Sequence, residues 1–444
     1  MDSAIPDQGN PARGARALRT VGRVRLFAPL SNRNFALLWA GMTASLLGDG
    51  LYFVAIAWEA LRLSNTTMAI SFVGIAWTLP TVAFLLMGGA LSDRIDRRRV
   101  MLWASLIQAA AIGSIGALVT LGINQLWAML LLVAVYGAAE AFFLPAFEAI
   151  VPTILEPSEI TAASALDQFV RPLAVQLAGP ALGGIVISLS GTGAAFILDA
   201  ATFLVAAGAL LAMRMPRHRA PDGAQQQGLF TGVGEAIRFV CANSWLWRTL
   251  LAAALTLLLF VGPSQVLLPY VVKNVLHAGS GTLGAIRACG GVGAIIAAIS
   301  VSQRGLPGWA ARAMLGGWAL QCLTLAGYAV AADAWLFGAI SLVGGAFGAA
   351  GSVVWGTLMK TRVPNDVLGR VASLDFLVSI GLVPVSFAIT GPVAQAIGAQ
   401  ATLLGGGVLA AATMLVFALM GPSKRRRTRD VRRPQPGAAP VAGG

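Results

Sequence analysis

VMLWASLIQAAAIGSIGALVTLGINQLWAMLLLVAVYGAA, residues 100–139, runs for forty positions without an Asp, Glu, Lys or Arg. One helix crossing a bilayer needs roughly 20 apolar residues, about 30 Å of hydrocarbon at ~1.5 Å per residue. The stretch is too long for one crossing and long enough for two. Its middle, Leu121-Gly122-Ile123-Asn124-Gln125, supplies a turn, so it predicts a helical hairpin through a membrane. The 48-residue run 376–423 breaks the same way at Gly398-Ala399-Gln400. Further charge-free runs lie at 63–92, 172–198, 249–272, 313–332 and 334–359.

Composition agrees. The 444 residues are 57% hydrophobic and 11% charged, with a mean hydropathy of +0.77, whereas a soluble domain carries about 25% charged residues. A soluble globular enzyme, a disordered chain and a disulfide-stapled secreted protein are excluded. Cys241, Cys289 and Cys322 show no metal or redox spacing and only His218 and His277 could join them, so the cysteines read as small apolar fillers. No metal and no cofactor is expected. There is no GxxxxGK[ST] loop and no nucleophile–base constellation, which argues against ATP as a direct energy source and against an enzyme. The N-terminus stays polar to about residue 26, with no cleavage-site pattern, so no cleaved signal peptide is expected.

Segmentation predicts an all-α membrane protein of twelve spans: about 35–61, 67–92, 99–121, 125–148, 169–189, 193–213, 249–272, 282–303, 310–331, 334–359, 374–397 and 400–421. An even count puts both termini on one side. Of the 31 Lys and Arg, 28 fall on that side, against Arg62, Lys273 and Arg287 on the other. Cytoplasmic loops concentrate Lys and Arg, so both termini are expected in the cytoplasm of a cell with a multi-pass inner or plasma-membrane protein. The basic tail Lys424-Arg425-Arg426-Arg427-Thr428-Arg429 then anchors against anionic headgroups rather than nucleic acid.

The polar stretch 214–248 divides the spans six and six. The expected layout is a cytoplasmic segment 1–34, a bundle 35–213, a linker 214–248, a second bundle 249–421 and a tail 422–444. Gly234 to Trp247 is read as an interfacial amphipathic helix. An internal repeat supports the division. Val151-Pro152 precedes Gly179-Pro180 by 28 residues, and Val363-Pro364 precedes Gly391-Pro392 by 28. Parallel six-helix repeats with substrate bound between them build one transporter architecture. Glycine clusters at Gly179–Gly184, Gly290–Gly293 and Gly344–Gly351 allow the close helix approach on which packing in lipid depends.

At the inner end of span 2 stands Gly89-Ala90-Leu91-Ser92-Asp93-Arg94-Ile95-Asp96-Arg97-Arg98-Arg99. It resembles the loop 2–3 signature of the major facilitator superfamily through Gly89, Leu91, Asp93, Arg94, Arg97 and Arg98, with Asp96 where a glycine is usual. The resemblance implies that Asp93 latches the cytoplasmic side by facing span 11. Val175-Gln176-Leu177-Ala178-Gly179-Pro180-Ala181-Leu182-Gly183-Gly184 resembles the antiporter motif of drug exporters. Gly179, Pro180, Gly183 and Gly184 match, while Val175 replaces the first glycine. With Leu47-Gly48-Asp49-Gly50-Leu51 and the ends of spans 4 and 6, the chain looks like the twelve-span drug:proton antiporter branch that includes enterobactin-type and macrolide exporters. The resemblance implies a fold of two pseudo-symmetric six-helix bundles and a monomer.

Ionisable groups at membrane depth cost roughly 2.5–3.5 kcal/mol on insertion scales and are usually functional or paired. Asp49 and Glu140 lie near the middle of spans 1 and 4 and are the candidate proton-coupling or cation-binding groups. Asp199 reads as structural, Glu148 as a gate or interface group, Glu59 with Arg62 as a rim ion pair, and Arg171 as a partner of Asp167 or Glu148. Tyr52, Phe143 and Trp355 are the candidate cavity aromatics. The expectation is a secondary transporter exporting an amphipathic small molecule (a drug, siderophore or other natural product) by exchange for protons. A proton-coupled importer and a lysophospholipid flippase share the fold, and a non-transporting sensor or scaffold is the alternative of another class.

Overall fold

A computed structural model describes residues 27–214, 229–304 and 309–420, all helical or connecting segments with no strand among them. The expected N-terminal segment before residue 27, the middle of the linker and the basic tail lie outside the described residues. Hydrocarbon offers no hydrogen-bond partner, so each crossing must satisfy its own backbone, and helices do.

Arg33–Leu63, Thr67–Arg94, Arg97–Thr120 and Leu126–Ile154 form spans 1 to 4. Pro157–Ala212 is one continuous helical stretch, but Gly191, at φ +82°, folds it back on itself. Only glycine takes that conformation without strain. The two arms are spans 5 and 6, and both lie along span 1: Gly179 meets Gly50, and Ala206 meets Gly41. Spans 7 to 10 are Ser244–Asn274, Ser280–Arg304, Ala310–Val330 and Ala334–Arg362. Span 11 comprises Asn365–Gly381 and Val383–Ile397, and Ala399–Leu419 is span 12 after the positive-φ turn at Gly398. Twelve crossings result, and both ends of the helical region lie on one face, here the terminal face.

Polar caps start several spans. Asn32 accepts from the Asn34 and Phe35 amides, Thr66 from Ala69, Asp96 from Arg98 and Asp333 from Leu336. Spans 5 and 11 begin earlier than hydropathy predicts, at Pro157 and Asn365 rather than 169 and 374. The added residues carry Glu159 and Asp167 in span 5 and Arg370 in span 11, and a hydropathy window cannot follow a helix that leaves lipid. The interfacial helix is Leu229–Ala242 rather than 234–247: Asn243 adopts extended backbone and separates it from span 7. Its Val240 packs with Leu246, Leu250, Met359, Val363 and Val371 beneath the second half.

The halves touch through two related helix pairs. Span 5 meets span 8, where Gly184 lies against Gly281 and Gly284. Span 11 meets span 2, where Gly391 lies against Met68 and Ser71. Three residue pairs form side-chain hydrogen bonds between the halves at the face opposite the termini. Asn65 and Asn274 exchange bonds of 2.6 and 3.2 Å. Lys273 Nζ donates to the Leu61 carbonyl at 2.6 Å, and Thr67 Oγ1 to that of Gly391 at 3.3 Å. The Lys273 ammonium also stands 6.0 Å from the Trp58 ring.

Candidate functional site

Asp49 is the seventeenth residue of the 31-residue span 1, and Glu140 the fifteenth of the 29-residue span 4. Both carboxyls are held by a side chain from a neighbouring span. The Tyr136 hydroxyl donates to Asp49 Oδ1 at 2.9 Å, and Trp77 Nε1 donates to Glu140 Oε2 at 2.6 Å. Gly48 lets span 6 come close: a Cβ there would collide with Asp199 Oδ1 and Thr202 Oγ1. Asp199 is fully buried next to Asp49's turn, its carbonyl accepts from Thr202, and its Oδ2 has no partner. Its place beside Asp49 makes it a member of the same acidic group, which its position in the sequence did not reveal.

Of the five residues expected around one cavity, Tyr52 packs on Tyr136 beside Asp49, while Phe143 and Trp355 lie elsewhere. Tyr52 is 1% exposed and stacks inside the first half against Tyr136 and Phe196, with ring centroids 5.1 and 6.2 Å away. Phe143 stacks on Phe147 nearer the terminal face. Trp355 belongs to the second half, where its Nε1 donates to Asp375 Oδ2 at 2.9 Å and its ring meets the edge of Trp245. A span number says which helix an aromatic is on, not which side of it, and these three sides pack into bundle interiors.

A cavity of about 370 Å³ lies between the halves. From the first half, Phe53, Val175, Gln176 and Pro180 reach it; from the second come Gln265, Arg287, Gln321 and Tyr328 among others. Neither Asp49 nor Glu140 lines it. Phe53 connects the two regions, since its ring meets the Trp77 indole at 5.2 Å and Trp77 holds Glu140. Arg287, read from sequence as an outer-loop charge, is the eighth residue of span 8 and faces this cavity. The absence of a neighbouring charge hid it, because a lone Arg near a predicted span end is indistinguishable from a loop residue.

The loop 2–3 arginines act as carbonyl clasps. Arg97 Nη1 donates to the Ala149 carbonyl at 2.9 Å, and Arg98 Nε and Nη2 donate to Leu210 and Leu211 at 2.6 and 2.8 Å. They tie the loop to the last turns of spans 4 and 6, where the helix dipole favours a cation. Asp96, which departs from the signature, caps span 3. Gly89 has open space around it and Leu91 is exposed. The side chains of Asp93 and Arg94 lie outside the described residues.

In span 5, Gly179 and Gly183 pack against Gly50 and Leu51 of span 1, while the Pro180 carbonyl and Gly184 face span 8. A π-helical turn, Pro172–Ala178, precedes them. Arg171 pairs with Asp167 at 3.2 Å, and Glu148 is exposed. Glu59 is more than a rim ion pair. It is fully buried and accepts two bonds from Arg62, at 2.7 and 2.9 Å, one from Asn124 at 2.9 Å and one from Thr192 at 2.7 Å. It therefore ties span 1 to the 3–4 and 5–6 turns.

The family model described as "Transmembrane secretion effector" matches residues 24–434. The chain is 28% identical over 401 residues to the multidrug efflux pump Tap of Mycobacterium tuberculosis, covering 84% of this chain and 90% of Tap. It is 22% identical over 244 residues to macrolide efflux protein A of Streptococcus pyogenes, covering 55% and 60%. The crystal structure of a POT family transporter in complex with 5-aminolevulinic acid has the same fold, with a TM-score of 0.67 at 11% identity over 87% of this chain and 96% of that one.

Proposed function

The chain belongs to the transmembrane secretion effectors, transporters of the major facilitator superfamily, and on that premise we propose that it exports amphipathic small molecules in exchange for protons. The observation that carries the coupling is Asp49, a carboxyl at the centre of span 1 held by Tyr136 and set beside Asp199, whose Oδ2 has no partner. Burial disfavours the charged form of a carboxyl, so such a group is suited to take a proton on one side and release it when water reaches it on the other. Glu140, one aromatic contact from the cavity through Trp77 and Phe53, is the group that couples the proton to the substrate.

The two halves, 35–213 and 249–421, act as the moving bodies. With 28 of 31 basic residues on the terminal side by sequence count, the termini are cytoplasmic, and the hydrogen bonds at Asn65–Asn274, Lys273–Leu61 and Thr67–Gly391 close the outside. Each neutral bond contributes about 0.5–1.5 kcal/mol, so a few kcal/mol opens this gate, within the range a transport cycle can reverse. Asp93 is the latch that closes the cytoplasmic side when the outside opens. Pro180 and Gly184 supply the thin face on which span 5 moves against span 8, and Gly179 and Gly183 seat span 5 closely on span 1. The protein works as a monomer.

Everted vesicles with an imposed proton gradient test the reading. The wild type is expected to drive a macrolide or a lipophilic dye uphill, and Asp49→Asn to reduce proton-driven movement at least ~10-fold, about 1.4 kcal/mol, while sparing downhill substrate exchange. Uphill efflux by Asp49→Asn at the wild-type rate would remove Asp49 from coupling. Accumulation in the opposite direction would make the protein an importer.

A further inference from the structure

Arg287 is a cation at membrane depth without an acid. The two salt bridges among the described residues are Glu59–Arg62 and Asp167–Arg171. Among the described residues no carboxyl bonds Arg287: Asp49 is held by Tyr136, Glu140 by Trp77 and Asp375 by Trp355, while Asp199 lies beside Gly48 of span 1 and Glu148 is exposed. A guanidinium has five N–H donors. The described bond of Arg287 uses one, from Nη2 to Gln265 Oε1 at 2.9 Å, and its buried Nε has no partner. Gln265 is presented by a π-helical turn, Pro263–Leu267, an irregularity that often marks functional positions. Around the pair, Gln176, Ser264, Gln321 and Tyr328 give the same cavity polar walls. Charged side chains inside a membrane protein are costly and persist where they meet a partner. Here the described residues supply one neutral acceptor, Gln265, and no acid.

We propose that Arg287, steadied by Gln265, is the anion-recognition residue of the cavity and takes the carboxylate, or an equivalent planar oxyanion, of an amphipathic substrate. A guanidinium fork matches a carboxylate with two parallel bonds. The apolar body of such a substrate lies against Phe53, Val175 and Phe260, which line the same space. The inference rests on the transport reading and narrows it to substrates bearing a negative group, with that group held by the second half while the first half carries the proton.

The test uses the full chain in phosphatidylcholine nanodiscs, which offer no anionic headgroup as an occupant, and a probe pair: 7-dodecyloxycoumarin-3-carboxylate and its methyl ester. The wild type is expected to bind the carboxylate at least ~10-fold more tightly than the ester, Arg287→Gln to abolish that preference without weakening the ester, and Arg287→Lys to keep part of it. Should Arg287→Gln fail to fold, Gln265→Ala, which frees the guanidinium without removing it, is expected to narrow the preference severalfold. Equal binding of both probes by the wild type, or equal weakening of both in Arg287→Gln, would overturn the proposal. Uphill transport in everted vesicles separates the two readings. Anion-selective binding without uphill movement upholds the site and defeats the antiport reading. Uphill movement of the ester that ignores Arg287→Gln, with no preference for the acid, defeats the site alone.

Discussion

At the scale of single residues, the buried carboxyls divide by their partners. Glu59 receives four hydrogen bonds, two of them from one guanidinium, and a carboxylate so surrounded holds structure together. Asp49 receives one from Tyr136 and Asp199 leaves an oxygen without a partner, and the proposed proton coupling rests on this sparse bonding. Glu59→Gln replaces an acceptor oxygen with a donor facing donors. It is expected to lower stability by about 1–3 kcal/mol, read as a fall of several degrees in the melting temperature. Arg62→Ala, whose side chain is 52% exposed, is expected to cost under about 1 kcal/mol. A larger loss for Arg62→Ala than for Glu59→Gln would show that the ion pair, and not the bonds to the two turns, holds this corner. The depth of Asp49 and Glu140 was legible from the charge-free runs around them. Their partners were not, because Tyr136 and Trp77 are 87 and 63 residues away from them.

At the scale of helices, spacing between neighbouring backbones is the controlling quantity. A Cβ on Gly284 would stand 2.5 Å from the Pro180 carbonyl oxygen and 2.9 Å from Gly184 Cα, whereas one on Gly281 would find nothing nearer than 3.8 Å. Gly284→Ala must therefore push span 8 from span 5, with an expected cost of about 1–3 kcal/mol and loss of transport. Gly281→Ala is expected to leave both within error. Equal effects of the two substitutions in melting and vesicle assays would remove close backbone approach as the reason for these glycines. The turn at Gly398 was readable locally, whereas Asp96, noted in the sequence only as a departure from the signature, proves to cap span 3. The polar openings of spans 5 and 11 were not readable, since charges that end a hydropathy run do not end a helix.

At the scale of the molecule, the halves pack along spans 5 and 8 and spans 2 and 11, and side-chain hydrogen bonds join them at the face opposite the termini. Asn65 and Asn274 mark that closure, so replacing both with Cys in a Cys241→Ser background, which removes the exposed native thiol, gives a lock. Oxidation is expected to stop uphill transport and reduction to restore it. A quantitative cross-link with transport unimpaired would mean that this face does not open during the cycle. Such a result would leave the fold intact and remove alternating access at Asn65–Asn274.

The order of the residues alone determined twelve crossings, the even placement of the termini, the family motifs and the depth of the two central acids, because hydrocarbon enforces a periodic and nearly charge-free pattern on any chain that crosses it. Only the tertiary structure decided which faces turn inward. It drew Asp199 to Asp49, dispersed Tyr52, Phe143 and Trp355 into separate interiors, and set Arg287 into the space between the halves. Lipid demands that a helix be apolar on most sides, and that demand is silent on which side meets another helix.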